Sequence, residues 1–509
     1  MAKTLSKVLH HIDASQHESY QAQIWFLWKK PTSDQWEDLL PPQLELKDRE
    51  NLLSLVQREP TKPETGTLIS FDRSPLQRWV FAVVDAELDT FRWLGLARQI
   101  IKPLKDHGCK TLLAHLGHLP LEHALKACDA LPSAAKIALF KFPKYTQKDA
   151  KKKANADWQI DLLCAESVDL EQAARITQHA EAAAAANNQL RHLVMQAGND
   201  LTPGHYVARL KALAEQNGLE YSFLSQKKLA AMGAGAFLAV AQGSEHEDAG
   251  LVKLSYQGSS KKSSKHLVLV GKGVTFDTGG HNLKSPNHMY GMHRDMAGSA
   301  LAYSLISLAA KEKWPVRVTA FLAIAENAIG PKAYRQNDVV TALNGKTIEI
   351  VDTDAEGRML LADTLHLASL EKPDLLLDFA TLTGACVRAI STLFSGVFTN
   401  RPDLQQALIN AGRESGERVW PFPLEPDFAE CLKSDIADIK QCRVSGGVDH
   451  IEASLFLKEF VGKDIPWVHH DLSAAENTGG LAHVDTEVTG FGLRFVSRFV
   501  RTHWGLLDH

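Results

Sequence analysis

Two short stretches concentrate groups able to hold cations and move charge. LVGKGVTFDTGGHNLKSPNHMYGMHRDMAGSA (269–300) carries Lys272, Asp277, Lys284 and Asp295, and VDTDAEGRMLLADTL (351–365) carries Asp352, Asp354, Glu356, Arg358 and Asp363. Asp277, Asp295, Asp354 and Glu356 sit in or beside turns of small residues. If the fold converges them, the four carboxylates repel one another, and a pair of divalent cations removes that cost. Two cations about 3.5–4 Å apart can bridge a nucleophilic water and stabilise oxygens that gain charge. Carboxylate-rich sites suit Mn²⁺, Mg²⁺ or Zn²⁺, and residue type alone separates these poorly. Lys284 can polarise a scissile carbonyl and steady an oxyanion. Arg358 offers a planar fork for a carboxylate or a carbonate-like anion. The other reading of both is simple ion pairing within the acid cluster.

The glycines of TFDTGG and DAEGR put flexible backbone beside these acids, as tight turns around a ligand require. They do not spell a nucleotide site. GKGVTFDTGG lacks the G-x-G-x-x-G spacing, and Lys272 is followed by Gly273 rather than by the Ser or Thr of a phosphate loop.

The elements that must position these groups are strands ending in Gly- and Asp-rich loops. HLVLV (266–270) ends at Gly271, VRVTAFLAI (316–324) at Ala325-Glu326-Asn327, and PDLLLDFA (373–380) at TLTG. DIPWVHHDL (464–472) is a further apolar run of this kind. Near-continuous apolar strands alternating with helices predict a sheet buried on both faces, with ligands at the strands' C-terminal ends. Upstream, WVFAVV (79–84), KTLLAHL (110–116) and KIALFKF (136–142) read as strands and LEHALKACDAL (121–131) as a helix, an α/β module without a dense ligand cluster. The alanine-rich run in 169–198 predicts a long helix joining two domains. Thr202 and Pro203 then mark a helix start, with Thr202 able to cap. The fold class expected is α/β: an N-terminal α/β domain (1–168), a linker helix (169–198), and a larger catalytic α/β domain (199–509) with a central mixed sheet flanked by helices.

The 509 residues exceed one ordinary domain, and 45% hydrophobic with 23% charged is a globular composition. A formal charge of -4 gives nucleic acid and membrane surfaces little to attract. The start, MAKTLSKVLHHIDASQ, lacks the apolar core of a signal peptide, and no apolar stretch reaches the ~18 residues of a membrane span. The six cysteines (109, 128, 164, 386, 431 and 442) are scattered, which predicts free thiols and a cytoplasmic setting. KYTQKDAKKKANADW (144–158) reads as a solvated basic loop, with an anion-binding patch as the alternative.

On these residues the chain resembles the leucyl aminopeptidase family, the cytosol-type dinuclear metallo-aminopeptidases. DTDAEGRMLLAD looks like the family signature, and GKGVTFDTGG, NLKSP, RDMAGSA and ATLTGAC follow the family's order. KSDIADIK (433–440), SGGVDHIEASLFLKEFV (445–461), DLSAAENTGG (471–480) and TGFGLRFVSRFV (489–500) extend the likeness, which covers roughly 195–500. The resemblance implies two divalent ions per subunit, Mn²⁺ or Zn²⁺ with Mg²⁺ as a third candidate. Lys272 and Asp295 would hold the looser ion, Asp354 the other, and Asp277 and Glu356 would bridge both. Lys284 would be the electrophile, and Arg358 would hold a bicarbonate that acts as general base toward the bridging water. Met292, Thr381 and Gly384 would line the pocket for the first side chain, giving a preference for Leu or Met. Core filling is the other reading of Met292. Peptides with a free N-terminus would be the substrates and a homohexamer the assembly.

The chain departs from the family pattern at several points. Asp352 stands for the family's Asn and Thr278 for its Ser, NLKSP reorders a common K-P-S, and Ala297-Gly298 replaces a glycine pair. His288 and His293 lie nearby without being needed for the metal set. The rival readings are a nucleic-acid-binding or assembly protein on the same fold, favoured by a basic stripe around Lys151–Lys153, and another dinuclear hydrolase such as a dipeptidase. The latter would ordinarily use histidine ligands, and no H-E-x-x-H joins this cluster.

Overall fold

The structure, a computed structural model, describes residues 4–504 apart from 33–34, 42–43, 59–62, 143, 147–156, 246–247 and 260–264. The lysines around 151–153 and most of the basic stretch therefore lie outside the described residues. The chain divides into two compact units, Met1–Ala185 with Gly479–Asp485 and Ala186–Thr478 with Thr486–His509.

The first unit is built on a six-stranded sheet of order β1-β6-β5-β2-β4-β3. Its strands are β1 (Thr4–Leu9), β2 (Ala22–Trp28), β3 (Leu68–Ser74), β4 (Gln77–Val84), β5 (Thr111–His115) and β6 (Trp158–Leu163). Its helices are α1 (Leu46–Arg58), α2 (Thr90–Asp106), α3 (Leu121–Ala138) and the start of α4 (Leu170–Val194). All neighbours pair in parallel except β3, which runs antiparallel to β4. Strand periodicity of two separates the faces. Ala22, Ile24 and Phe26 of β2 pack with α2 and α3, while Trp25 and Leu27 pack with Leu52 and Val56 of α1.

The stretch 136–142 is not a strand. Helix α3 continues through Ile137 and Ala138, across Pro132. A proline inside a helix leaves the carbonyl four residues back without its donor. Here that carbonyl belongs to Cys128, and Thr177 Oγ1 on α4 donates to it at 3.1 Å. A tertiary contact supplies the missing bond, and the helix runs on.

The second unit opens with α5 (Pro203–Gln216), β7 (Glu220–Ser225), α6 (Gln226–Met232), α7 (Gly235–Ala241), β8 (Gly250–Tyr256) and β9 (His266–Asp277). Then come α8 (Pro286–Met289), α9 (Ala297–Lys311), β10 (Arg317–Asn327), β11 (Val339–Thr341), β12 (Thr347–Glu349), α10 (Glu356–Leu370) and β13 (Leu375–Ala380). The unit closes with α11 (Gly384–Ile390), β14 (Ser395–Thr399), α12 (Gln405–Ser415), β15 (Val419–Pro421), β16 (Ile439–Lys440), α13 (Asp449–Lys458), β17 (Trp467–Asp471) and α14 (Leu493–Arg498). Pro203 takes the first position of α5, but the Thr202 side chain makes no capping hydrogen bond.

Its eight-stranded sheet has the order β15-β14-β17-β13-β9-β10-β8-β7. The central strands β17, β13, β9 and β10 are parallel, and β8 and β14 run antiparallel to them, so the sheet is mixed. Helices α9 and α10 both carry buried residues around most of their circumference, as expected for helices sandwiched in a core. Strand β9 does not stop at Gly271 but runs to Asp277, which places Lys272 within the sheet. Gly271 marks close packing rather than an end. A Cβ there would lie 2.5 Å from the Gly298 carbonyl oxygen of α9.

Candidate metal centre

Lys272 lies within β9 and Asp277 ends it. Lys284 follows in the next loop, and Asp295 closes the turn before α9. Asp354 stands in the loop before α10, and Glu356 and Arg358 lie in its first turn. A carboxylate at a helix N-terminus is favoured by the helix dipole. The fold brings these groups together. Lys272 Nζ lies 2.8 Å from Asp295 Oδ2 and 2.8 Å from Glu356 Oε1. Lys284 Nζ lies 2.9 Å from Asp277 Oδ2 and 2.5 Å from Asp354 Oδ1. One oxygen each of Asp277, Asp354 and Glu356 falls within a 4.8 Å group. Thr381 Oγ1 donates to Asp295 Oδ1 at 2.6 Å, and the Thr381 carbonyl accepts from Lys272 Nζ at 3.1 Å. Met292, half-buried, lies three residues before Asp295, and Gly384 opens α11 three residues after Thr381.

The donor set fits divalent cations. Asp295 Oδ2, Asp354 Oδ1 and Glu356 Oε1 are buried, and among the described residues each meets no donor other than a lysine ammonium, at 2.8, 2.5 and 2.8 Å. Buried acceptors are ordinarily satisfied, so such oxygens point to a missing partner. Four carboxylates against two lysines leave negative charge uncompensated. Burial pushes the carboxyls of Asp354 and Glu356 up, and repulsion from Asp277 adds to it. Asp295 is also raised, by burial above all. Burial alone would lower Lys272, but Asp295, Glu356 and Asp277 outweigh it and hold the ammonium above its ordinary range. Protons and metal ions therefore compete for the same atoms, and Lys272 must lose a proton to become a ligand.

A brace of side chains that sequence reasoning did not single out holds the cluster. Asn327, at the end of β10, donates to Asp277 Oδ1 at 2.7 Å and to the Thr353 carbonyl at 3.0 Å. Thr353 Oγ1 donates to the Gly279 carbonyl at 2.6 Å, tying the two acid-bearing loops together. Gln441 Oε1 accepts from the backbone N–H of Val351 and Asp352, and its Nε2 donates to the Ala355 carbonyl. Asp352, the departure from the family's Asn, accepts from the Asp354 N–H at 2.9 Å. Its carboxylate thus shapes the loop that carries Asp354. Gly357 admits Lys272, since a Cβ there would lie 2.8 Å from Lys272 Cε.

Asp363 and Arg358 both have partners away from the cluster. Asp363, grouped with the metal-capable residues, accepts backbone N–H groups of Phe237 and Leu343 at 2.8 and 2.7 Å, and so anchors α7 and a loop. Arg358 is buried and spends Nη2 on Asp449 at 2.8 Å and Nη1 on the Gln441 carbonyl at 3.2 Å. Its Nε is buried and has no acceptor among the described residues. All six cysteines are free.

A sheet-borne cluster of carboxylates and lysines at the C-terminal ends of parallel strands defines a metal-dependent hydrolase. The chain belongs to the cytosol aminopeptidase family, peptidase family M17, whose catalytic-domain model matches residues 188–497. It is a metal-dependent aminopeptidase. A probable cytosol aminopeptidase of Nitratidesulfovibrio vulgaris is 38% identical over 381 residues, 73% of this chain and 74% of that protein. A mutant of tomato leucine aminopeptidase superposes with a TM-score of 0.84 at 25% identity, covering 98% of this chain and 96% of the tomato chain. The bottromycin maturation enzyme BotP in complex with Mn superposes with a TM-score of 0.80 at 27% identity, covering 95% of this chain and 99% of BotP.

Proposed function

We propose that the chain removes the N-terminal residue from peptides with a free α-amine, preferring Leu- or Met-like residues. The observation that carries this reading is the buried convergence of four carboxylates on only two lysines, Lys272 and Lys284. Lys272, Asp277, Asp295, Asp354 and Glu356 are assigned as ligands of two divalent ions, Mn²⁺ or Zn²⁺ with Mg²⁺ as a third candidate. The manganese complex of BotP supports the first. When bound, such ions acidify water and polarise a carbonyl.

The chain's own groups do the rest. Lys284 Nζ, now paired with Asp277 and Asp354, donates to the scissile carbonyl oxygen as it gains charge. Arg358 is assigned to hold bicarbonate, which would supply a general base beside the metal ligands. The free Nε offers that anion a donor, and Asp449 must share Nη2 with it. Met292, Thr381 and Gly384 are assigned to the pocket for the first side chain. An apolar pocket separates neighbours by only about 1–3 kcal/mol per methylene, so the preference is graded.

Residues 1–168 are assigned to assembly or regulation, 169–198 to the linker and 199–509 to catalysis, in a cytoplasmic homohexamer. The names of the cytosol aminopeptidase relatives support the location. No helix among the described residues is long and apolar enough to cross a membrane.

The test compares Leu-p-nitroanilide with its N-acetylated form on manganese-loaded protein. Acetylation should abolish hydrolysis. Equal rates would refute a requirement for the free amine.

A further inference from the structure

The first unit holds a cavity of its own, of about 640 Å³, within the range of small-molecule sites. Its wall comes from the sheet face that α1 covers. His115 stacks on Trp25 with ring centroids 3.5 Å apart, and His17 stacks on His115 at 5.8 Å. His10, His118 and Trp79 also line the space. Imidazoles and indoles are a wall for a flat or apolar body.

We propose that this cavity binds a small organic amine on a flat or apolar body. The charge pattern selects the sign. Arg73, the one arginine of the lining, lies over Trp79 and is engaged by two carboxylates, Glu45 at 2.9 Å and Asp48 at 3.1 Å. Burial lowers the pKa of His17, His115 and His118, which keeps these rings neutral near pH 7. Glu18 and Glu166 also line the cavity, and both are exposed. No ion-pair partner is found for either among the described residues. An incoming ammonium meets two carboxylates and neutral imidazole nitrogens that can accept its hydrogens. An anion meets the same two carboxylates, with Arg73 already engaged by Glu45 and Asp48.

A metal ion is the poorer occupant. Among the described residues, the ligand-capable side chains that come within 4.8 Å of one another in threes are Asp277, Asp354 and Glu356 of the second unit.

Tyramine is the probe, titrated calorimetrically into the full-length, manganese-loaded protein. Its effect on Leu-p-nitroanilide hydrolysis is followed in parallel to register any binding at the catalytic centre. Tyramine should bind at a site that the double variant Glu18→Gln/Glu166→Gln weakens about tenfold or more, the scale of charge-assisted hydrogen bonds. 3-(4-Hydroxyphenyl)propionate, with the same body and a carboxylate in place of the amine, should not bind there. The double variant should keep parental peptidase activity, which shows that it is folded. Absence of this heat in the parent, equal affinity in the double variant, or equal binding of the propionate would each overturn the proposal. So would Ni²⁺ binding that His118→Ala abolishes while tyramine fails to bind.

Discussion

Both units place parallel strands side by side and gather polar groups along them, yet the chemistry they gather differs. In the second unit, β9 and the loop before α10 deliver Asp277, Asp354, Glu356 and two lysines into one charged knot with unsatisfied oxygens. In the first unit, β2 and β5 deliver Trp25 and His115, stacked and with little formal charge. The same architecture therefore fixes where a site can form, while side-chain identity fixes what it can hold. Converged carboxylates that outnumber their lysine partners call for cations. Buried neutral rings require only shape and hydrogen bonds.

The comparison can be broken at its charged end first. Glu356→Ala removes one of the grouped carboxylates and a partner of Lys272. It should lower kcat/KM by on the order of 10³ or more and reduce bound manganese, read by steady-state kinetics and metal analysis. Lys284→Ala should cost roughly 10²–10³ in kcat while metal content stays near the parent's. A matching loss of metal would make Lys284 a structural counter-charge instead. Gly357→Ala forces the Lys272 ammonium aside, because the added Cβ would lie 2.9 Å from Nζ. A misplacement of about 1 Å is worth roughly 10²-fold in rate. The thermal midpoint should move far less than the activity. Gln441→Ala leaves the metal loop without its brace and should weaken manganese affinity about 10- to 100-fold, read by competition with a chelator.

The effect in the first unit is read in stability rather than in rate or metal affinity. His115 is buried, and its pKa falls from 6.5 to about 3, with His17 and His118 adding to the effect of burial. A base depressed on folding contributes stability that is present above its unfolded pKa and is lost as pH falls toward the folded one. The unit should therefore lose stability as pH drops from 6.5 toward 3, by up to roughly 1.4 kcal/mol per pH unit. His115→Gln should flatten that part of the pH profile of thermal unfolding.

Much of the second unit was legible in the sequence because its signals are local. Apolar runs mark β9, β10, β13 and β17, and the acids sit at or just beyond strand ends and helix starts. Local signals failed where a distant partner decides. The run 136–142 reads as a strand, yet the helix continues into it because Thr177 repairs the bond that Pro132 removes. Gly271 reads as a strand end, yet it admits α9. Asp363 resembles a ligand in its spacing, and only tertiary contact shows it bound to backbone N–H groups. Asn327 and Gln441 carry no motif, and their roles exist only once residues 50 and 90 positions away arrive beside them. Asp449 is of the same kind, since nothing in 445–461 announces that it meets Arg358.

The most direct test is a manganese titration of chelator-stripped protein, with bound metal and Leu-p-nitroanilide hydrolysis followed together. The stripped protein should be inactive, and activity should rise as about two ions bind per chain. Asp277→Ala should lose both signals. Full activity in the stripped protein, or manganese binding that Asp277→Ala leaves intact, would contradict the assignment of this cluster as the catalytic metal centre.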